Sequence, residues 1–488
     1  MNKHEERYMW IAISVVIIGT FMAVLDSSIV NVAIPKLMTI FKVSTDQIEW
    51  ILTGYMLTMS IVIPLTGYLG DRFGLKKLYI GALTIFTIGS ALCGLATSTQ
   101  TMVAARVIQA IGGGMIMPVG MAMIYKLVPL QKRGVALGIW GVAAMAAPAI
   151  GPTLSGYIIQ YMDWRLIFTI NIPVGVIGVT LAIILLKETP TRKDKTFDIF
   201  GAITCAVGLF SLLLSLSKGN SEGWTSGYIL GLFAVAAISL ISFIFIELHH
   251  KNPLLELRML KVFPYSLSMI ISTITTVGMY GALFLMPLYL QNLRGYTPMQ
   301  SGMLMLPAAI VTGITMPISG KLFDKFGAKW VTVIGLSILT IASYLLSKLS
   351  LETSYNTIMM IMMIRGIGMG LAIIPAQTAG MNTIPRELSG RATALNSTIK
   401  QISGSFGIAI LTTILGHRQV FYAVRYSEIK QVAVAAIDDT LLVAAIICFA
   451  GIFVAFFIRN KTAGIPEQEM SKEERHEQEL VEEIFLEI

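Results

Sequence analysis

Charged residues are scarce in this chain. They make up 13% of it, about half of what a soluble domain carries, and that deficit excludes an ordinary water-soluble fold. Cysteine is scarcer still: Cys93, Cys205 and Cys448 are the three among 488 residues. All sit in apolar segments, where cysteine behaves as a small core residue, so neither a disulfide framework nor thiol chemistry follows. Histidine is missing from every apolar segment, because His4, His249, His250, His417 and His476 fall in loops or tails; a histidine proton relay is excluded. No GxxxxGKS or GxxxxGKT run exists, so no ATP engine is expected. Metal-ligand spacing, a nucleophile constellation and a loop long enough for a soluble domain are also lacking. The expectation is of no enzyme, no cofactor and no metal. The net charge of +8 is no signature of nucleic-acid binding, because the basic residues gather at the ends of apolar segments.

What is present is hydrophobic length. The chain is 55% hydrophobic, and apolar stretches of about 20 residues recur throughout, each long enough to cross a hydrocarbon core of about 30 Å. The runs are continuous rather than alternating, which argues against a β-barrel. The reading is an all-α polytopic membrane protein with about fourteen spans, centred near residues 20, 59, 88, 114, 146, 175, 208, 237, 276, 309, 339, 369, 402 and 447. The first segment is too long for the core of a signal peptide and lacks a small-residue cleavage site, so it is read as a retained span. Basic clusters at Arg72, Lys76 and Lys77, at Lys132 and Arg133, and at Arg192, Lys193 and Lys195 fall on alternate loops. That is the positive-inside pattern for a protein of the cell membrane with both termini cytoplasmic. The longest external loop is placed at about 417–438, and the acidic stretch after Ile465 is read as a short amphipathic cytoplasmic helix.

The chain repeats itself. GYLGDRFGLKK (67–77) has a counterpart in GKLFDKFGAKW (320–330), and RGVALGIWG (133–141) is echoed by GRATALNST (390–398). Arg106 follows Asp71 by 35 residues and Arg365 follows Asp324 by 41. The expected organisation is a six-helix bundle at 1–187, an inserted pair of helices with flanking loops at 188–261, a second six-helix bundle at 262–460, and an acidic tail at 461–488. Parallel repeats around a midplane site are a plan used by secondary transporters.

Within this frame a few residues stand out. Asp26 lies deep in FMAVLDSSIVNVAIP, where an ionised carboxylate costs roughly 2.5–3.5 kcal/mol on insertion scales; such a group usually serves an ion, a proton or a charged substrate. Arg106 opens RVIQAIGGGMIMP and has Asp26, Gln109 or the aqueous boundary as its options. Asp26 and Arg106 are the candidate proton-coupling pair. Gly67, Gly70, Asp71, Arg72, Gly74 and Lys76, with Asp324 in the second copy, are candidates for a gating loop that makes and breaks charge contacts as two halves rock. Pro148, Gly151, Pro152 and Gly156 in GIWGVAAMAAPAIGPTLSGYI (138–158) are candidates for a hinge and seal, since close packing alone needs neither proline. Trp50, Tyr55, Met59, Met115, Met279, Tyr280, Met286, Met369 and Lys400 are candidates for a substrate cavity. Flexible thioethers suit a pocket that repacks around varied apolar ligands, although any one methionine also serves as helix filler. Glu247, near the end of the eighth span, is placed at the membrane interface.

These motifs together resemble the fourteen-helix drug:proton antiporters of the major facilitator superfamily, the EmrB/QacA type, over about residues 9–460. LDSSIVNVAIP (25–35) and WILTGYMLT (50–58) resemble that group's first and second helices, and GYLGDRFGLKK the superfamily loop motif. RVIQAIGGG resembles the fourth-helix motif, GPTLSG the antiporter motif of helix five, and WRLIFTINIPVG (164–175) the start of helix six. Ala147 and Ser155 stand where that pattern prefers glycine. The resemblance implies an antiporter, hence proton-coupled efflux of lipophilic drugs by alternating access and antibiotic resistance; cations are the expected cargo, while Arg106 or Lys400 would instead suit zwitterionic or anionic drugs. Its partners would be lipophilic small molecules, protons and membrane lipid, acting on a monomer, with an adaptor protein where the host has an outer membrane. One proton exchanged for one monovalent cation draws on ΔpH alone, about 1.4 kcal/mol per unit. Use of the membrane potential, roughly 2.3 kcal/mol per charge per 100 mV, needs a neutral cargo or a second proton. A dedicated exporter of one endogenous metabolite, lipid-like molecule or peptide shares every one of these features. A non-transporting sensor does not fit, because no soluble output domain exists.

Overall fold

The computed structural model describes residues 3–191 and 196–458; the expected tail helix lies outside the described residues. A backbone in hydrocarbon must satisfy its own amides, which leaves helices as the solution for continuous apolar runs. Among the described residues there is no strand, and fourteen helices are long and apolar enough to cross a membrane. We number them α1 (Lys3–Phe41), α2 (Trp50–Phe73), α3 (Leu75–Gly94), α4 (Thr99–Leu127), α5 (Arg133–Tyr161), α6 (Asn171–Leu185), α7 (Ile199–Glu222), α8 (Gly227–His249), α9 (Phe263–Pro287), α10 (Pro298–Phe326), α11 (Ala328–Leu346), α12 (Tyr355–Met381), α13 (Ser389–Ala423) and α14 (Ile429–Ala455). Every expected centre falls inside one of them. A single turn, Leu166–Thr169, extends α6 to a full span.

Caps written into the sequence start several helices. The Ser98 side chain accepts the Thr101 amide and the Thr101 side chain accepts the Ser98 amide, closing a capping box on α4; Thr297 and Gln300 do the same for α10. Each such cap contributes about 1 kcal/mol. Between α2 and α3 the chain turns at Gly74, whose φ of 85° lies in the left-handed region that a side chain disfavours.

Helices α1 to α6 pack on one another, as do α9 to α14. The two sets meet along two seams, α5 against α10 and α2 against α13, which the internal repeat relates to each other. The α5–α10 seam runs nearly the whole helix length, and glycine makes it possible. A Cβ on Gly138 would come within 2.7 Å of the Pro317 Cα, a Cβ on Gly320 would strike the Gly134 backbone, and a Cβ on Gly302 would press on Thr153 at 3.1 Å. Helix α7 lies against both α2 and α13, while α8 packs on α7 and leaves most of its surface to lipid. At the end of α7, Lys218 pairs with Glu49 before α2 at 3.3 Å, and Asn220 donates to Thr412 of α13 at 2.6 Å. The inserted pair thus touches both sets of helices.

Fourteen spans return the chain to the face on which it begins. That face carries Lys3, the α2–α3 turn and the start of α13; Lys132 pairs there with Glu6. On the opposite face the long loop expected at 417–438 shrinks to 424–428, because α13 continues to Ala423 and α14 starts at Ile429. The added turns of α13 are mostly exposed, those of α14 run from exposed at Ile429 to buried at Ala436 and Ile437, and His417 lies on a helix rather than a loop.

The seam generates a prediction. Gly320→Leu overpacks the α5–α10 contact at a cost of about 1–3 kcal/mol and should lower the melting temperature of the purified protein by several degrees. Gly156→Leu, at a position with nothing within 4 Å of the added Cβ, should leave it unchanged or raise it. Equal effects would show that the seam is not close-packed.

Candidate functional site

Asp26 is fully buried at the middle of α1, and five helices converge on it. Its Oδ2 accepts from Arg106 Nη1 of α4 at 2.6 Å. Its Oδ1 accepts from Gln109 Nε2 of α4 and from Asn171 Nδ2 of α6, each at 2.8 Å. Arg106 Nη1 also donates to Gln109 Oε1 at 2.6 Å, and its guanidinium lies 3.8 Å from the ring centroid of Tyr55 on α2. Ser90 of α3 closes the set, accepting from Gln109 at 2.5 Å and from Asn171 at 3.2 Å. Both charges are therefore paired and hydrogen-bonded, the condition under which ions persist in a low-dielectric interior. The GGG run of α4 makes the space. A Cβ on Gly113 would press on the Tyr55 hydroxyl at 2.6 Å, and one on Gly114 would meet the Met59 backbone at 3.3 Å.

The second set of helices is built differently at the matching positions. Arg365 is buried in α12 and donates to the carbonyls of Gly278 and Met279 at 2.7 and 3.3 Å, with Nε unpartnered. Lys400, half-buried in α13, donates to Gln377 of α12 at 2.9 Å, and Gln377 donates on to the Met121 sulfur of α4 at 2.9 Å. Among the described residues neither cation has a carboxylate partner. The interior thus holds one neutral ion pair in the first set and two uncompensated basic groups in the second.

At the face that carries the termini, the repeat closes on itself. Asp71 Oδ2 accepts from Arg391 Nε of α13 at 3.1 Å, and Arg391 Nη1 reaches Glu256 at 3.3 Å. In the other copy Asp324 accepts the amides of Gly134 and Val135 at the start of α5, where the helix dipole favours an anion. Each acidic residue of the repeated loop thus engages the first turn of a helix in the opposite set. Gly67 lets Arg391 approach: an added Cβ would sit 3.0 Å from the Arg391 Cα. Gly70 makes room for Leu75 in the same way. The basic residues of the loop hold it to its own set, Lys76 donating to the Ile183 carbonyl at 2.7 Å and Arg72 to the Tyr68 hydroxyl at 2.6 Å.

The other candidates are more dispersed. Tyr55 joins the Asp26 network and Met59 packs beside it, whereas Trp50 is exposed at the start of α2. Met115 and Met369 are buried in separate apolar clusters, and Met286 is fully buried in a third, each packed among helices. Met279 is half-buried and offers its carbonyl to Arg365, while Tyr280 packs on Gly404. In α5 the Pro148 carbonyl accepts from Ser28 of α1 at 3.2 Å, Gly151 packs on Ser28, and Pro152 lies on Gly302 of α10; Gly156 faces open space. Five partners went unread in the sequence, among them Arg391 opposite Asp71 and Gln377 opposite Lys400. Asn171 and Ser90 complete the Asp26 network, and a lone amide inside the apolar run INIPVG was the signal for the first. Glu256 joins the Arg391 pair. Glu247 stands in the last turn of α8 and is fully buried, because the bend after α8 folds back over it.

This arrangement has relatives. A sequence model of the Major Facilitator Superfamily matches residues 16–408. The Bacillus subtilis protein named "Uncharacterized MFS-type transporter YhcA" is 43% identical over 85% of this chain and 77% of its own. The "Multidrug transporter protein MdtP" of the same organism is 34% identical over 86% and 77%. The solved structure of the proton:xylose symporter XylE superposes with a TM-score of 0.65 at 15% identity, covering 93% of this chain and 97% of that one, a likeness of fold alone. Two six-helix sets related by a repeated acidic loop, and a family match over most of its length, make this chain a multi-pass membrane protein and transporter, not an enzyme, of the Major Facilitator Superfamily.

Proposed function

We propose that the protein is a proton-coupled multidrug antiporter of the fourteen-helix drug:proton family, exporting lipophilic compounds, cations among them, by alternating access. The observation that carries this reading is Asp26, a carboxylate buried at the middle of α1 whose three donors come from α4 and α6 and are themselves held by Ser90 of α3 and Tyr55 of α2. Proton uptake at Asp26 removes the charge that holds Arg106. The freed guanidinium stays on the Tyr55 ring, and α1 is released from α4 and α6. Proton loss re-forms the pair and draws the helices together. A site that changes both its charge and its helix packing with one proton is the element an antiporter needs. In the paired state Asp26 carries no net attraction for a cation, so a cationic compound must compete with Arg106 as well as with the proton for the ionised carboxylate. The name of the relative MdtP supports a drug as cargo.

The bodies that rock are residues 1–187 and 262–460, with the α5–α10 and α2–α13 seams as bearings. Pro148, Gly151 and Pro152 form the hinge of α5. The Asp71–Arg391 and Asp324–helix contacts are the latches at the face carrying the termini. The basic clusters on that face support a cytoplasmic orientation in the cell membrane, with the protein working as a monomer.

A second reading, export of one endogenous metabolite, is favoured by Lys400 and Arg365. Two interior cations without carboxylates suit a cargo that brings an anionic group.

Two experiments test these readings. In inverted vesicles Asp26→Asn should abolish drug-dependent collapse of ΔpH. Because it strands a buried guanidinium at a cost of about 3–5 kcal/mol, the double variant Asp26→Asn with Arg106→Gln should recover folded yield without recovering coupling. Coupled flux in either variant would sink the assignment. Lys400→Met should weaken export of carboxylate-bearing compounds about 10-fold or more, the worth of one charged hydrogen bond, while leaving cation export in place. A uniform loss across cargo charges would remove Lys400 from the cavity.

A further inference from the structure

A second group of buried acids lies outside the Asp26 site, at the base of the inserted helix pair. Asp198 precedes α7, Glu247 is in the last turn of α8, and Glu256 is on the bend that leaves α8; their exposures are 3%, 0% and 0%. Asp198 Oδ1 caps α7 by accepting the Gly201 amide at 2.8 Å, and Glu247 Oε2 accepts the Leu255 amide at 3.2 Å. The remaining oxygens of this pair, Asp198 Oδ2 and Glu247 Oε1, are buried and have no hydrogen-bond partner. Both converge on the point where a Gly201 side chain would begin, with the Glu247 oxygen 2.8 Å from it. Two carboxylates held in this way repel each other strongly if both are ionised, since little water screens them. One shared proton removes the repulsion and supplies the missing hydrogen bond.

We propose that Asp198 and Glu247 form a proton-binding site distinct from Asp26, and that its occupancy sets whether the Arg391 latch is closed. The connection is short. Glu247 holds the Leu255 amide, the next residue is Glu256, Glu256 binds Arg391, and Arg391 binds Asp71 across the seam. With the proton in place the bend stays seated on Glu247 and Glu256 steadies Arg391 against Asp71. When the proton leaves, repulsion between the two carboxylates displaces the bend, Glu256 lets go, and the latch opens. The site therefore reports the pH at the face carrying the termini to the contact between the two six-helix sets.

The ionisable groups that face this pair are few, and Glu256 on the bend is one of them. On α7 the nearest ionisable group besides Asp198 is Cys205, buried and beside Glu247. His250 Nδ1 lies 4.0 Å from Asp198 Oδ2 but already accepts the Asn252 amide at 3.1 Å, which makes it the unprotonated nitrogen. Arg258 turns away to the Leu248 carbonyl at 3.1 Å. Arg391 on α13 and Asp71 on the α2–α3 turn complete the set. Helix insertions of this kind are usually read as padding; here the insertion supplies the proton site and the residue that braces the latch.

The inference rests on Arg391 acting as a latch between the two sets, and the test reads that latch directly. Spin labels at Lys77→Cys and Glu387→Cys, both exposed beside the latch, report its opening by double electron–electron resonance on the full chain in nanodiscs; the native cysteines are buried. In the parent the label separation should lengthen as pH is raised. In Glu247→Gln and in Asp198→Asn it should stay short at every pH, matching the parent at low pH, which also certifies the fold. His250→Gln should keep the parent's response. A parent distance that never changes would overturn the latch. A pH response that survives both carboxyl variants, or that is lost with His250→Gln alone, would overturn the proton site.

Discussion

The Asp26–Arg106 ion pair is the contact on which the first six helices depend. Each charge is costly alone in a low-dielectric interior, and pairing offsets that cost best when the remaining hydrogen-bonding capacity is filled. Gln109, Asn171, Ser90 and the Tyr55 ring fill it, and each comes from a helix that must be turned to a particular angle. The network therefore sets the rotation of α1, α2, α3, α4 and α6 about their axes, which an apolar helix surface does not specify by itself. It also concentrates the contact on one carboxylate, which accepts from three donors at once.

The contacts between the two six-helix sets are of a different kind. Along α5 and α10 the helices come backbone to backbone at glycines, with Pro317 over Gly138, Gly320 against Gly134 and Thr153 beside Gly302. At one face the contact is ionic and localised: Asp71 with Arg391, and Asp324 with the first amides of α5. The rocking proposed above would use this contrast, the seams as bearings and the localised charge contacts as latches. The inserted pair adds to this division. It grips both sets at one end through Lys218 and Asn220, and at the other it braces Arg391 through Glu256. The second set keeps two basic groups, Arg365 and Lys400, where the first keeps a neutral pair, so the repeat is symmetric in backbone and asymmetric in charge.

Much of this was legible in the chain. Fourteen apolar runs became fourteen spans because a bilayer offers a hydrophobic backbone no alternative to the helix. Asp26 and Arg106 stood out because a charge in such a run is expensive, and the paired loops at 67–77 and 320–330 were visible as a repeat. The individual methionines were not separable, because an apolar residue in an apolar helix faces lipid, core or cavity with the same composition. Met115, Met286 and Met369 went into packed clusters. The burial of Glu247 was not legible for a related reason: position along a helix indicates where its end lies, but a bend that folds back over that end is a tertiary event.

The sequence by itself determined the number of spans, their order, the internal repeat and the residue types that had to be neutralised, because each follows from transfer free energy and chain length. The tertiary structure alone decided the partners. It put Asn171 and Ser90 on Asp26, Gln377 on Lys400, Glu256 on Arg391, and Asp198 opposite Glu247. Those pairings depend on how each helix is rotated and where it lies beside its neighbours. In a chain whose helices are apolar nearly all round, hydropathy carries little record of that rotation.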